Sequence, residues 1–348
     1  MKYLIFLILA LSITGLCHAQ DEVVRASTVV DNREEVLYNE GVVLLEQKDF
    51  AAAITKFDEA IELKADFALA FFNRAVAHEQ LKNLEAAIAD YTQAITLQPT
   101  ADAHFRRGRV QQEMGATSEA LEDFAETVSL NPQMASAYYF AGAIKFQEEN
   151  YAAAIEFYTK AIAADRAYYY ALNDRGSAHR QLGQYAEAVK DYTAAIAIAP
   201  NVDFLFGNRG SAHRLQGNFD AAIHDYDRAI SLSPNSAMLH NNRGLAKLGK
   251  EDFAGALADF ARATNIDPNY YRAHSNAGNA FHAQKMYAEA ITMYNRAIEL
   301  NGNFGQAFLN RGISKEMLRD DAGACADWQR AAELEIAQAS SYVAVQCR

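Results

Sequence analysis

The side chains that invite chemistry in this chain are serine–histidine couples, scattered histidines, cysteines and recurring arginine–aspartate couples. Arg175–His179 and Arg209–His213 both read Arg-Gly-Ser-Ala-His, so each brings a nucleophile and a base into one turn. They are two copies of the same helix turn rather than a hydrolase signature. Ser177 and Ser211 look to one side, and the neighbouring His179 and His213 to the packed side. Nine histidines raise the question of a metal. There is no His-Glu-x-x-His, no phosphate-binding glycine loop and no nucleophile elbow. His78, His179 and His213 occupy equivalent places where Phe281 stands elsewhere, which reads as half-buried aromatic packing.

The charged couples follow a rule. Six arginines have an aspartate sixteen residues on: Arg74/Asp90, Arg107/Asp123, Arg175/Asp191, Arg209/Asp225, Arg243/Asp259 and Arg311/Asp327. In one equivalent place the signs swap, as Glu40/Lys56, and in two both charges vanish together, as Ala141/Phe157 and Ala277/Met293. Pairing Lys56 with Arg74 would be repulsive, so the couple lies within one structural unit and ties its two halves. A partly buried charge left without its partner is costly. Each aspartate therefore has an assigned partner, which argues against a ladder of catalytic carboxylates.

The elements that position these residues come from a period of 34. The prolines Pro99, Pro132, Pro200, Pro234 and Pro268 are 33, 68, 34 and 34 residues apart. Glycines keep the same beat from Gly41 to Gly312, with Ala75 filling one gap. An alanine row (Ala53 to Ala324) runs twelve residues behind, and an aromatic follows four later in every copy, from Phe57 to Trp328. With the glycine numbered as position 8 of each repeat, apolar and small residues fall at helical spacing in two stretches joined by a turn such as Gly183-Gln184. Each copy is predicted to be a helical hairpin, with proline after its second helix, where it interrupts nothing. Small residues at positions 8 and 20 let the helices approach. A bulky residue at Ala188 or Ala222 should cost about 1–3 kcal/mol by overpacking.

This pattern of small-8, Ala-20, aromatic-24, Ala-27 and Pro-32 resembles the tetratricopeptide repeat over about residues 34–335, in nine copies. The copies run approximately 34–67, 68–100, 101–134, 135–168, 169–202, 203–236, 237–270, 271–304 and 305–336, followed by a capping helix in 337–348. The departures are minor: Ala75 for glycine, Thr127 for alanine, and no proline in repeats one, four and eight. The resemblance implies an all-α, right-handed superhelical solenoid whose concave groove is lined by the first helix of each hairpin.

That groove is the expected site. Position 6 is asparagine in six repeats, Asn39, Asn73, Asn208, Asn242, Asn276 and Asn310, with Arg106, Phe140 and Asp174 as exceptions. Asparagine is a mediocre helix former, and its amide suits the backbone of an extended peptide. The row looks like the asparagine ladder of the protein O-linked N-acetylglucosamine transferases, which holds substrate peptides; no transferase domain accompanies it here. The N-terminal half of the stripe is aromatic, with Tyr139, Phe140 and Tyr170 beside Phe72, Phe105, Phe146 and Phe204, and is expected to form an exposed partner patch. The Lys/Asn pattern of the carboxylate-clamp subfamily is missing: Asn279 is the only asparagine at position 9.

Residues 1–19 stand outside the period. Lys2, an apolar run and Cys17-His18-Ala19 read as a signal peptide cut after Ala19, with a polar leader in 20–33. This predicts a secreted or periplasmic protein; a lipoprotein through Cys17 fits less well, because Leu16 is large where small residues are usual. Cys325 takes the place of an aliphatic that should face the next hairpin, and only the capping helix ending at Cys347 follows it. A Cys325–Cys347 disulfide pinning the cap is expected. The net charge of −12, without a basic cluster, argues against nucleic acid as partner. The sequence thus reads as an exported, non-enzymatic scaffold without a cofactor, holding a protein or peptide segment in its groove. The alternative is a structural subunit of an envelope assembly that docks through its convex face or its ends.

Overall fold

The computed structural model describes residues 32–347, so the signal segment, its cleavage site and Cys17 lie outside the described residues. Among the described residues there are only helices, in nine consecutive pairs and a final single helix. The pairs are α1 (Arg33–Glu46) and α2 (Phe50–Leu63), α3 (Ala68–Gln80) and α4 (Leu84–Leu97), α5 (Ala101–Glu113) and α6 (Thr117–Leu130), α7 (Ala135–Gln147) and α8 (Tyr151–Ala164). Then follow α9 (Tyr169–Gln181) and α10 (Tyr185–Ile198), α11 (Asp203–Leu215) and α12 (Phe219–Leu232), α13 (Ala237–Gly249) and α14 (Phe253–Ile266). The series ends with α15 (Tyr271–Ala283) and α16 (Tyr287–Leu300), α17 (Gly305–Met317) and α18 (Asp321–Glu333), and α19 (Ala337–Gln346). The helices form two compact units, one ending at Ile144 and the other beginning at Lys145.

Each hairpin closes by the same device. The residue at position 15 is left-handed in every copy: Gly115, Gly183 and Gly217 do this freely, whereas Lys48, Lys82, Glu149, Glu251, Lys285 and Arg319 do so with φ near 60°. The following N–H donates five residues back, as from Gln184 to the His179 carbonyl at 2.9 Å, which satisfies a helix-end carbonyl and reverses the chain. Asp49, Asn150, Asp252 and Asp320 then cap the second helix by accepting from the third residue on.

The core is the alanine and aromatic rows. Ala188, Ala222 and Ala256 are fully buried, as are Tyr192, Tyr226 and Phe260. The position-8 glycines lie under those rings: a Cβ on Gly244 or Gly278 would sit 2.6 Å from Cε1 of Phe260 or Tyr294. At the C-terminus Tyr342 of α19 stacks on the buried Trp328, with centroids 4.7 Å apart. Cys325 and Cys347, 22 residues apart, are joined by a disulfide. No helix among the described residues is long and apolar enough to cross a membrane.

Candidate functional site

The arginine–aspartate couples are clamps of three contacts. Arg175 places Nε 2.9 Å from Asp191 Oδ2 and Nη2 2.7 Å from Oδ1, while Nη1 donates to Thr159 Oγ1 at 3.0 Å on the preceding hairpin. Arg209 repeats this with Asp225 and Thr193, and Arg243 with Asp259 and Asp227. The arginine thus joins neighbouring hairpins as well as its own two helices, which the reading within a single hairpin missed. In the first hairpin the swapped couple forms too, with Lys56 Nζ 3.0 Å from Glu40. Position 11 adds a second cation. Lys247 Nζ stands 2.8 Å from Asp259 and Lys315 Nζ 2.9 Å from Asp327, and His78, His179 and His213 hold the same place beside their aspartates. Burial alone would raise the Asp259 carboxyl, but its hydrogen bonds from Arg243 and Lys247 outweigh that and hold its pKa below the usual range.

The asparagine row requires a correction. Asn73 is 2% exposed, and its amide nitrogen donates to Tyr38 Oη at 2.8 Å. Asn208 donates to Asn173, Asn276 to Asn241 and Asn310 to Asn279, each at 2.8–2.9 Å between successive first helices. These bonds stitch hairpin to hairpin, and each engages one N–H of an amide that the sequence alone assigns to a peptide backbone. Asn242 differs: its carbonyl accepts a long bond from Asn241 at 3.4 Å, and its own amide donates to no described residue.

The aromatic stripe is also less open than the sequence implied. Tyr139, Phe140 and Tyr170 are half-buried because the rings lie on one another. Phe140 packs on Phe105 and Phe124 with centroids 5.8 and 6.2 Å away, and Tyr139 meets Phe140 edge-on at 5.2 Å. Tyr170 stacks on Tyr169 and Phe204. Arg106 is engaged with Glu79 at 3.7 Å and lies over Phe72, while Tyr91 Oη donates to Glu79 at 2.7 Å.

Ser177 Oγ lies 3.0 Å from Tyr192 Oη, and His179 Nδ1 is turned to Gln184, so the serine and histidine do not form a couple. Among the described residues no group of His, Cys, Asp and Glu is arranged to hold a metal ion. What the first helices present is a set of amides, hydroxyls, guanidinium groups and ring edges.

Family models described as tetratricopeptide repeat match residues 38–102, 105–169, 169–202 and 271–304, and one described as TPR repeat matches 210–251. The chain is 34% identical over 106 residues to tetratricopeptide repeat protein 6 of Homo sapiens, covering 30% of this chain and 20% of that protein. It is 33% identical over 116 residues to tetratricopeptide repeat protein 36 of Xenopus tropicalis, covering 32% of this chain and 57% of that one. The chain thus spans a fifth to just over half of these relatives. A solved structure, the C-terminal part of a TPR repeat-containing protein from Cytophaga hutchinsonii, aligns with TM-score 0.60 at 18% identity, over 69% of this chain and 98% of that one, a likeness of fold alone. With repeat after repeat matched along most of its length and the paired helices in place, the chain belongs to the tetratricopeptide repeat family.

Proposed function

We propose that this protein is an exported, non-enzymatic scaffold that holds a segment of a partner protein along the faces of its first helices. Membership of the family supports a protein-interaction role. The observation that carries the finer reading is the chemistry of that face in the second unit, where Tyr170, Ser177, Ser211 and Asn242 are all partly open to solvent. Export rests on the apolar segment and small residues of 1–19. A disulfide between Cys325 and Cys347 accords with an oxidising compartment.

The test is retention of partners from the host envelope by residues 20–348, beside a Tyr170→Ala/Asn242→Ala variant. Neither substitution removes a donor that another hairpin needs. A partner kept by the first protein and lost by the variant supports recognition along the first helices. Equal retention by both overturns that reading and moves the contact to the convex face or the ends.

A further inference from the structure

Two arginines of the first helices form no ion pair among the described residues. Arg180 closes α9 and Arg214 occupies the equivalent place in α11, one repeat on. Both side chains are half-buried, and the Nε of each is buried without a hydrogen-bond partner. Among the described residues neither forms an ion pair. The six clamp arginines, by contrast, all hold an aspartate. The same place in the second hairpin carries Glu79, whose charge is met by Arg106 and the Tyr91 hydroxyl. In the fifth and sixth hairpins both charges are positive and form no ion pair among the described residues, in a chain of net charge −12.

Their surroundings are hydroxyls. Tyr192 Oη lies beside Arg180 and 3.0 Å from Ser177 Oγ. Tyr226 Oη is buried next to Ser211 and Arg214 and has no hydrogen-bond partner. Burial raises the pKa of both tyrosines, so both keep their protons at neutral pH and can donate. Asp174 is the one carboxylate whose charge is felt at Tyr192, and it forms no ion pair with either arginine. The cluster therefore offers donors and positive charge in excess of the carboxylate beside it, a poor arrangement for a finished interior and a good one for an anion.

We infer that Arg180 and Arg214, with Ser177, Ser211, Tyr192 and Tyr226, form a docking station for two carboxylate side chains of an extended partner segment. The inference rests on the reading that a segment lies along the first helices, and names its chemistry. Successive packed helices stand about 8–10 Å apart. An extended segment in the polyproline II conformation advances about 3.1 Å per residue with three residues per turn, so side chains three apart share one face. Two acidic residues three positions apart therefore reach both guanidinium groups at once, whereas a single inorganic anion meets one at a time. A segment carrying Asp or Glu at such spacing is the fitted ligand.

The test uses the chain of residues 20–348 on an array of twelve-residue peptides, each with two Glu spaced from one to six positions apart, and Gln twins of every peptide. Expected is retention that peaks at a spacing of three, falls at least tenfold in the Gln twin, and weakens as salt rises. R180Q/R214Q should abolish the difference between Glu and Gln peptides, R180K/R214K should restore most of it, and R262Q, at an exposed arginine, should leave it intact. Equal retention of Glu and Gln twins overturns the carboxylate station while keeping segment binding. No retention of any peptide overturns the station too, and the separate partner-retention test then decides the broader reading. A Glu preference that survives R180Q/R214Q overturns it as well, by placing the anion contact elsewhere.

Discussion

Removing the amide of Asn276 should weaken the fold rather than the grip on a partner. Its Nδ2 donates to Asn241 Oδ1 at 2.8 Å, and Asn241 is 4% exposed. Asn276→Ala leaves that buried carbonyl without a donor, at a cost of about 1–3 kcal/mol. For a unit of this size the midpoint of thermal unfolding should fall by about 2–12 °C. Asn242→Ala in the preceding hairpin removes only the long acceptor contact from Asn241, and should stay within about 0.5 kcal/mol, as surface changes do. Replacing both partners, as Asn241→Leu/Asn276→Leu, removes donor and acceptor together and should recover most of the loss. Circular dichroism melts of the four proteins decide the matter. An Asn276→Ala protein that melts with wild type, or an Asn242→Ala protein that falls as far, would refute the stitching role. Either result would return the row to the partner.

Gly244→Ala drives a Cβ to within 2.6 Å of Phe260 and should destabilise by about 1–3 kcal/mol in urea titration, whereas an unchanged midpoint would mean the ring yields freely. Gly183→Ala meets no atom within 4 Å, so its loss of about 1 kcal/mol would come from left-handed backbone alone; Lys285→Gly, at φ 63°, should gain a similar amount. The Asp259 carboxyl titrates below its unfolded value of about 3.9, so its stabilisation is complete above that pH and is lost as pH falls through the lower folded value. Wild type should lose stability faster than Asp259→Asn over that acid window, and parallel acid profiles would contradict this. Reducing the Cys325–Cys347 disulfide should cost about 3 kcal/mol, with hydrogen exchange accelerating first in α19; uniform exchange across the chain would oppose a pinned cap.

The fold was legible because each structural demand is stated nine times. Glycine under a ring, replaced once by Ala75, and alanine at the helix crossing recur at one place in each repeat, so no single exception hides the beat, whereas the left-handed turn shows as glycine in only three copies. The site was harder to read. Asparagine at position 6 carries the same letters whether its amide faces a ligand or the next hairpin. Only the neighbours Asn173, Asn241 and Asn279, which do not share one repeat position, reveal the choice. The aromatic stripe failed for the same reason, since Phe105 and Phe140 satisfy each other. One missed contact did leave a signal. The residue after the position-24 ring is Asp58, Thr92, Thr159, Thr193, Asp227 or Asn295 wherever the next hairpin brings an arginine. It is Ala125 or Ala261 where the next hairpin brings Ala141 or Ala277.

That last correlation bears on how the array comes apart. Nearest-neighbour coupling governs cooperativity in a stack of repeats, and the guanidinium arm that reaches back is one such coupling. Arg243 supplies it between the sixth and seventh hairpins, and Arg311 between the eighth and ninth. Between the seventh and eighth, Ala261 faces Ala277 in the repeat pattern and the arm is missing. At that junction the second unit is held by packing and by the Asn276–Asn241 bond, without the arginine arm. Parting α15 to α19 from the hairpins before them thus breaks no arginine arm, only that bond and the packing, and leaves a block closed at its far end by its own disulfide.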